Sequence, residues 1–211
     1  WMRKWLLKQF EWYRGLILRL KTRRGFLFYK DKDMQLYEKY VTETVDEKTG
    51  RLTKIDFHIP DDFNFGFDVV DFWGKNTPDK TALLWVGEHH EEKTFTFSDM
   101  MRLTNKTANY FRSLGIKKGD RVMLILRRHY QFWFSIVALH KIGAIVIPAT
   151  DQLMKNDLVY RFNLAGVSAV VISSTGSIVD EAEKAFEQCD VKTKILVGAS
   201  RDGCTAAATG S

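Results

Sequence analysis

Arg127, Arg128 and His129 stand side by side directly after an apolar, strand-like run at residues 121–126. Two guanidinium groups and an imidazole at that place can receive a phosphate or a carboxylate, because charge-assisted hydrogen bonds to such anions are the strong ones. The same triplet also reads as a solvated basic loop, and the residue types alone leave both readings open. A second polar group, Thr150, Asp151 and Gln152, follows the next apolar run at 144–147. Asp157 suits a helix cap. Arg161, four residues on, can reach a phosphate or pair with Asp157 as an i,i+4 ion pair.

Other groups with chemical potential fare less well. Gly198 and Gly203 have the G-x-x-x-x-G spacing of a phosphate loop, and Thr205 takes the position of its metal-binding hydroxyl. Cys204 stands where that loop needs lysine, and a thiol cannot neutralise the outer phosphates. His89 and His90 are adjacent, so in an extended backbone their rings diverge. His58 and His140 lack an acidic or cysteine neighbour at ligand spacing, and His140 sits in an apolar helical pattern that suits packing. No G-x-S-x-G element is present. No residue is assigned a catalytic or metal-ligating role on these grounds.

Alternating strands and helices must position these groups. Strand patterns at 121–126, 144–147, 169–173 and 194–197 are separated by helical patterns at 130–142, 157–165 and 178–188. This predicts an α/β fold with a mostly parallel sheet and crossover helices. Ligands of such sheets sit beyond the carboxyl ends of the strands. Ahead of the sheet, runs at 81–86 and 93–97 flank Gly-Glu-His-His-Glu-Glu and predict a β-hairpin with an acidic, exposed tip. Ser98 is expected to cap a helix that continues to Leu114 and is closed by Gly115. Residues 68–75 are expected to be helical and to stop before Thr77-Pro78. Phe63, Phe65 and Phe67 are expected to pack as an extended lead-in, residues 34–40 to be helical, and residues 44–51 to form a turn.

Charge divides the chain. Residues 1–30 carry nine Lys or Arg and one acid, whereas the rest carries 23 basic and 25 acidic residues. The near-neutral remainder argues against a nucleic-acid partner. Residues 1–33 read as a basic amphipathic extension. Such a segment can lie on an anionic membrane, can be an extension without a role, or can precede a natural start at Met34. Residues 34–198 form the expected α/β domain, and 199–211, small and polar, read as a disordered or foreign tail. The 45% hydrophobic content supports a real core. Two cysteines without a C-x-x-C pair give no disulfide framework and suit a reducing, cytoplasmic location. No apolar stretch approaches the ~18 residues of a membrane span, and no secretory signal is read at the N-terminus.

FNFGFDVVD (63–71), the hairpin, TFTFSDM (94–100), GIKKGDRVMLILRR (115–128), ALHKIGAIVIPAT (138–150) and DLVYRFNLAGVSAVV (157–171) occur in this order. Together they resemble the N-terminal portion of the adenylate-forming acyl-CoA synthetases, nearest to the medium-chain acyl-CoA and acetyl-CoA synthetase branch. The likeness runs from about Met34 to Gly198. It implies the N-terminal subdomain of the acyl-CoA synthetase-like fold and a two-step ligase of fatty acid metabolism. A carboxylic acid attacks ATP to give an acyl-adenylate and pyrophosphate, and coenzyme A then displaces AMP. ATP, coenzyme A and Mg2+ are the implied cofactors, the metal neutralising phosphate charge. The resemblance also places Thr150, Asp151, Gln152 and Arg161 beside the coenzyme A nucleotide, and Arg128 joins them as a strand-end cation. Asp151 and Gln152 replace a turn that is often glycine-rich in the family, and Arg127 stands where relatives usually have proline.

The family's Ser/Thr/Gly-rich phosphate loop with its lysine, its Tyr-Gly-x-Thr-Glu-like element and its C-terminal catalytic lysine have no counterpart in these residues. The expectation is therefore a fragment of an acyl-CoA synthetase, inactive alone. The alternative is a small α/β binding module tethered to anionic membrane by its N-terminal helix.

Overall fold

The computed structural model describes residues 36–198 and, as backbone only, residues 205–207. The basic arm expected at 1–33 and most of the tail expected at 199–211 lie outside the described residues. The chain divides into two compact units, residues 1–58 and 59–211.

In the first unit the helix expected at 34–40 is a short 3-10 turn, Leu36–Lys39. It leads into an antiparallel hairpin of β1 (Val41–Val45) and β2 (Leu52–Phe57). The turn expected at 44–51 is the tip of this hairpin. Asp46 Oδ1 organises it by accepting from the amide of Thr49 at 2.7 Å and from its hydroxyl at 2.8 Å. Gly50 takes the left-handed φ of +63° that an L side chain avoids.

The second unit opens with a π-helical stretch, Gly66–Asp71, running directly into α1 (Phe72–Asn76). The helix expected at 68–75 thus starts two residues early. Asn64 explains this: its side-chain oxygen accepts from the Gly66 amide at 3.0 Å, while its own amide donates to Asp68 Oδ2 at 2.7 Å. Of the three lead-in phenylalanines, Phe65 packs on the Val70, Met100, Phe134 and Val137 cluster, whereas Phe67 is left 48% exposed.

β3 (Thr81–Val86) and β4 (Glu92–Thr96) form the expected hairpin. The next helix, α2 (Phe97–Ser113), is capped by Thr96 rather than by Ser98. Thr96 Oγ1 accepts from the Asp99 amide at 3.1 Å, and Asp99 Oδ2 accepts from the Thr96 amide at 3.2 Å. This reciprocal pair is a capping box, which needs the acid three residues after the cap.

The remaining elements alternate: β5 (Arg121–Ile125), α3 (Gln131–Ile142), β6 (Ile145–Pro148), α4 (Lys155–Ala165), β7 (Ala169–Ser173), α5 (Ile178–Phe186) and β8 (Thr193–Val197). The strands form one parallel sheet in the order β6-β5-β7-β8, as the alternation predicted. Thr205–Ala207 adds a fifth parallel strand, β9, beside β8. These three residues complete backbone hydrogen bonds that β8 offers at its open edge. The core follows the strand period of two. Val122, Leu124, Val171 and Ile195 face one way with Phe111 and Leu139, while Met123, Ile125, Val170 and Leu196 face the other with Leu158, Phe162 and Ile178. Both faces are covered, as a parallel sheet requires.

Candidate functional site at the carboxyl edge of the sheet

β5 connects to β6 on one side of it, while β7 connects to β8 on the other. The connections diverge between the carboxyl ends of β5 and β7, and open α/β sheets bind ligands at such a point. His129, in the loop after β5, crosses this point. Its Nε2 lies 2.8 Å from Ser173 Oγ, at the end of β7. Ser173 is fully buried, shares a 2.8 Å hydrogen bond with Thr175 Oγ1, and accepts from the Thr175 amide at 3.2 Å. Burial pulls the His129 pKa below the ordinary histidine value, with the charge of Glu88 opposing. Ser173 and Thr175 were not legible as partners of His129, because only the strand order brings β7 beside β5. The one signal was a serine closing the apolar run AVVIS.

The basic triplet is split three ways. Arg127 forms ion pairs with Glu88 at 3.0 Å and with Asp151 at 3.6 Å. Arg128 is exposed and forms no ion pair among the described residues, while its carbonyl accepts from the Trp85 indole N–H at 2.7 Å. His129 turns inward. The structure therefore brings Arg127 to Asp151, two groups the sequence placed after different strands. Asp151, whose charge would repel a phosphate, has that charge partly offset by Arg127, which it shares with Glu88.

Thr150 and Gln152 are exposed, and the Gln152 amide donates to Thr150 Oγ1 at 3.3 Å. Asp157 sits in the first turn of α4 and accepts from the Met154 amide at 3.4 Å, which satisfies one of the free N–H groups at the helix start. Arg161 is exposed and forms no ion pair with Asp157. It lies six residues into α4, so a rise of ~1.5 Å per residue puts its backbone about 9 Å along the helix from the carboxyl-edge turn.

The remaining histidines do not assemble a site. His140 is largely buried, edge-on to Phe65 at 6.0 Å, and burial lowers its pKa. His89 and His90 are exposed at the hairpin tip, where the His89 amide donates to Glu91 Oε2 at 2.9 Å. His58 pairs with Thr42 Oγ1 at 3.0 Å. Among the described residues no group of three or more His, Cys, Asp or Glu is placed to hold a metal. The phosphate-loop spacing also meets a structural objection: Thr205 begins strand β9, whereas a phosphate loop would lead into a helix.

This sheet, with its helices on both faces and its polar carboxyl edge, defines an open α/β scaffold. Residues 70–209 match the family described as AMP-binding enzyme, and the chain belongs to that family. It is 36% identical over 150 residues to the mouse protein "Acyl-coenzyme A synthetase ACSM1, mitochondrial", covering 67% of this chain and 26% of that protein. The human ACSM1 protein is 34% identical over 157 residues, covering 70% of this chain and 27% of its own length. The chain thus spans about a quarter of these relatives, and it corresponds to their N-terminal part. Two solved structures share the fold. Acetoacetyl-CoA synthetase from Streptomyces lividans superposes with a TM-score of 0.62 at 20% identity, over 68% of this chain and 24% of that one. A benzoate CoA ligase from Burkholderia xenovorans LB400 superposes with a TM-score of 0.53 at 18% identity, over 64% and 26%.

Proposed function

We propose that this chain is the N-terminal α/β portion of an AMP-forming acyl-CoA ligase, and that the 211 residues alone catalyse neither half-reaction. The match of residues 70–209 to the AMP-binding enzyme family carries this reading. In it, a carboxylic acid is activated as an acyl-adenylate and passed to the thiol of coenzyme A. Thr150, Asp151 and Gln152, with Arg128, would hold the nucleotide end of coenzyme A. Arg127, shared with Glu88, lessens the repulsion that Asp151 would exert on a phosphate. Arg128 supplies an available guanidinium, and Arg161 a second one lower on the face of α4. Coenzyme A contributes the acceptor thiol when bound.

The test has two arms. ATP–pyrophosphate exchange with a panel of aliphatic and aromatic acids is expected to show no turnover by this chain, and turnover would contradict the inactivity. Calorimetric titration with coenzyme A is expected to show weak binding that Arg128→Ala reduces. Unchanged binding in that variant would remove Arg128 from the site.

A further inference from the structure

We propose that the depression beside the first turn of α3 binds a small, flat aromatic anion: one or two fused rings carrying a carboxylate or sulfonate. The site lies within this chain, needs neither ATP nor coenzyme A, and makes or breaks no covalent bond. Trp85, Phe132 and Trp133 line the depression, with Leu126 and Val86 beside them, and its volume is about 330 Å³. Small-molecule pockets span roughly 300–1,000 Å³, so this one suits a molecule of one or two rings and not a dinucleotide.

The lining is pre-formed. The Trp85 indole N–H is already spent on the Arg128 carbonyl at 2.7 Å, and its ring meets Tyr130 edge-on at 5.4 Å. Phe132 and Trp133 meet edge to face at 5.4 Å. Leu126 is 6% exposed and forms a buried apolar base, whereas Trp133 remains 47% exposed. An aromatic surface held in one orientation and left in water is suited to a flat ring, which gains both burial and edge or face contacts.

Charge selects the rest of the ligand. Arg127 also borders the depression, but Glu88 and Asp151 occupy its guanidinium. Arg128 borders it with no ion pair among the described residues. A free guanidinium fork beside aromatic rings pairs a planar anion bidentately while the ring packs below it.

The test uses the full chain and 2-naphthalenesulfonate as the probe, titrated by calorimetry against the uncharged 2-naphthalenemethanol. The sulfonate is expected to bind one-to-one and about tenfold more tightly than the alcohol, a ratio typical of one charge-assisted pair. Arg128→Ala is expected to abolish that preference. Trp133→Ala is expected to weaken both ligands about threefold or more through lost ring contact. Arg128 and Trp133 are both solvent-exposed, and Arg128→Gln provides a second loss of charge that keeps a polar side chain. In spectra of the indole N–H groups, the Trp133 signal should move on titration while that of Trp73, on α1, should not. Equal affinity for the two ligands would mark the depression as a general apolar contact surface and overturn the proposal. Unchanged sulfonate affinity in both Arg128 variants, movement of Trp73 with Trp133 still, or no saturable binding would overturn it as well.

Discussion

His129 Nε2 and Ser173 Oγ lie 2.8 Å apart across the point where the sheet's connections diverge. The bond ties the loop after β5 to the end of β7. Burial lowers the His129 pKa and does the same for His140. Both rings therefore stay neutral in the folded chain at pH values where the unfolded chain takes up protons. Stability is present in full above the ordinary histidine value near 6.5 and falls as pH drops through and below it. Urea unfolding at about pH 7.5 and about pH 5.5 is expected to show a lower midpoint in acid. His129→Gln is expected to shrink that decline. A decline of the same size in the variant would remove His129 from the account.

Ser173 serves both His129 and the Thr175 amide from a fully buried position. Ser173→Ala removes the partner of each at once. His129 is half-buried and Thr175 exposed, so water can reach what is left, and the expected cost is about 1 kcal/mol, the usual net worth of a hydrogen bond. Chemical denaturation measures it, and a change within error would mean that water replaces the hydroxyl freely.

Lys141 Nζ reaches Asp71 Oδ1 at 2.6 Å and Asn105 Oδ1 at 2.7 Å, joining α3 to the π-helical stretch and to α2. Both charges are buried. Burial lowers the Lys141 pKa, and the hydrogen bond and charge of Asp71 oppose it. Lys141→Met alone leaves the Asp71 carboxylate buried and unpaired, at an expected cost of about 3–5 kcal/mol. The double variant K141M/D71L is expected to recover a large part of that loss, because an apolar pair avoids the desolvation penalty. A double variant no more stable than K141M would show that the pair supplies net stability.

Gly66 tests the same junction from the backbone side. A Cβ added there would overlap Cγ of Lys141. The lysine stem is already fixed by its two partners and cannot swing aside without losing them. Gly66→Ala is expected to destabilise by about 1–3 kcal/mol, as for overpacking in a core. Its effect should shrink in Lys141→Met, whose side chain is free to move. Additive losses in the two variants would rule out this contact as the cause.

The parallel sheet was legible because most of β5, all of β7 and the last three residues of β8 are buried on both faces and read as apolar runs. The β1–β2 hairpin was not, because all of β1 after Val41 is exposed and no buried face imposes an alternation. The start of the π-helical stretch was hidden for another reason. Phe63, Phe65 and Phe67 suggested an extended segment, while Asn64 nucleated the turn through hydrogen bonds that composition does not reveal. The location of the candidate site was legible from the strand-end triplet. Its division was not: Arg127 turns to Asp151, Arg128 to solvent and His129 to Ser173, and each outcome depends on which strands are neighbours.

The start of α2 offers a case where two adjacent candidates can be separated. Thr96 and Ser98 both suit an N-cap, but Asp99 stands three residues after Thr96 and only one after Ser98, and the capping box needs the longer spacing. Hydrogen bonds from the Thr96 amide and then from Arg102 hold the Asp99 carboxyl below the usual carboxylate range. Its contribution is therefore complete above the unfolded value near 3.9 and is lost as pH falls through the lower, folded value. Thr96→Ala is expected to cost about 1 kcal/mol, the usual worth of an N-cap hydroxyl. Ser98→Ala is expected to change the denaturation midpoint little, because the Ser98 amide, not its side chain, makes the local bond, donating to the Pro78 carbonyl at 3.0 Å. A larger loss in Ser98→Ala than in Thr96→Ala would reverse the assignment and move the first turn of the helix two residues along.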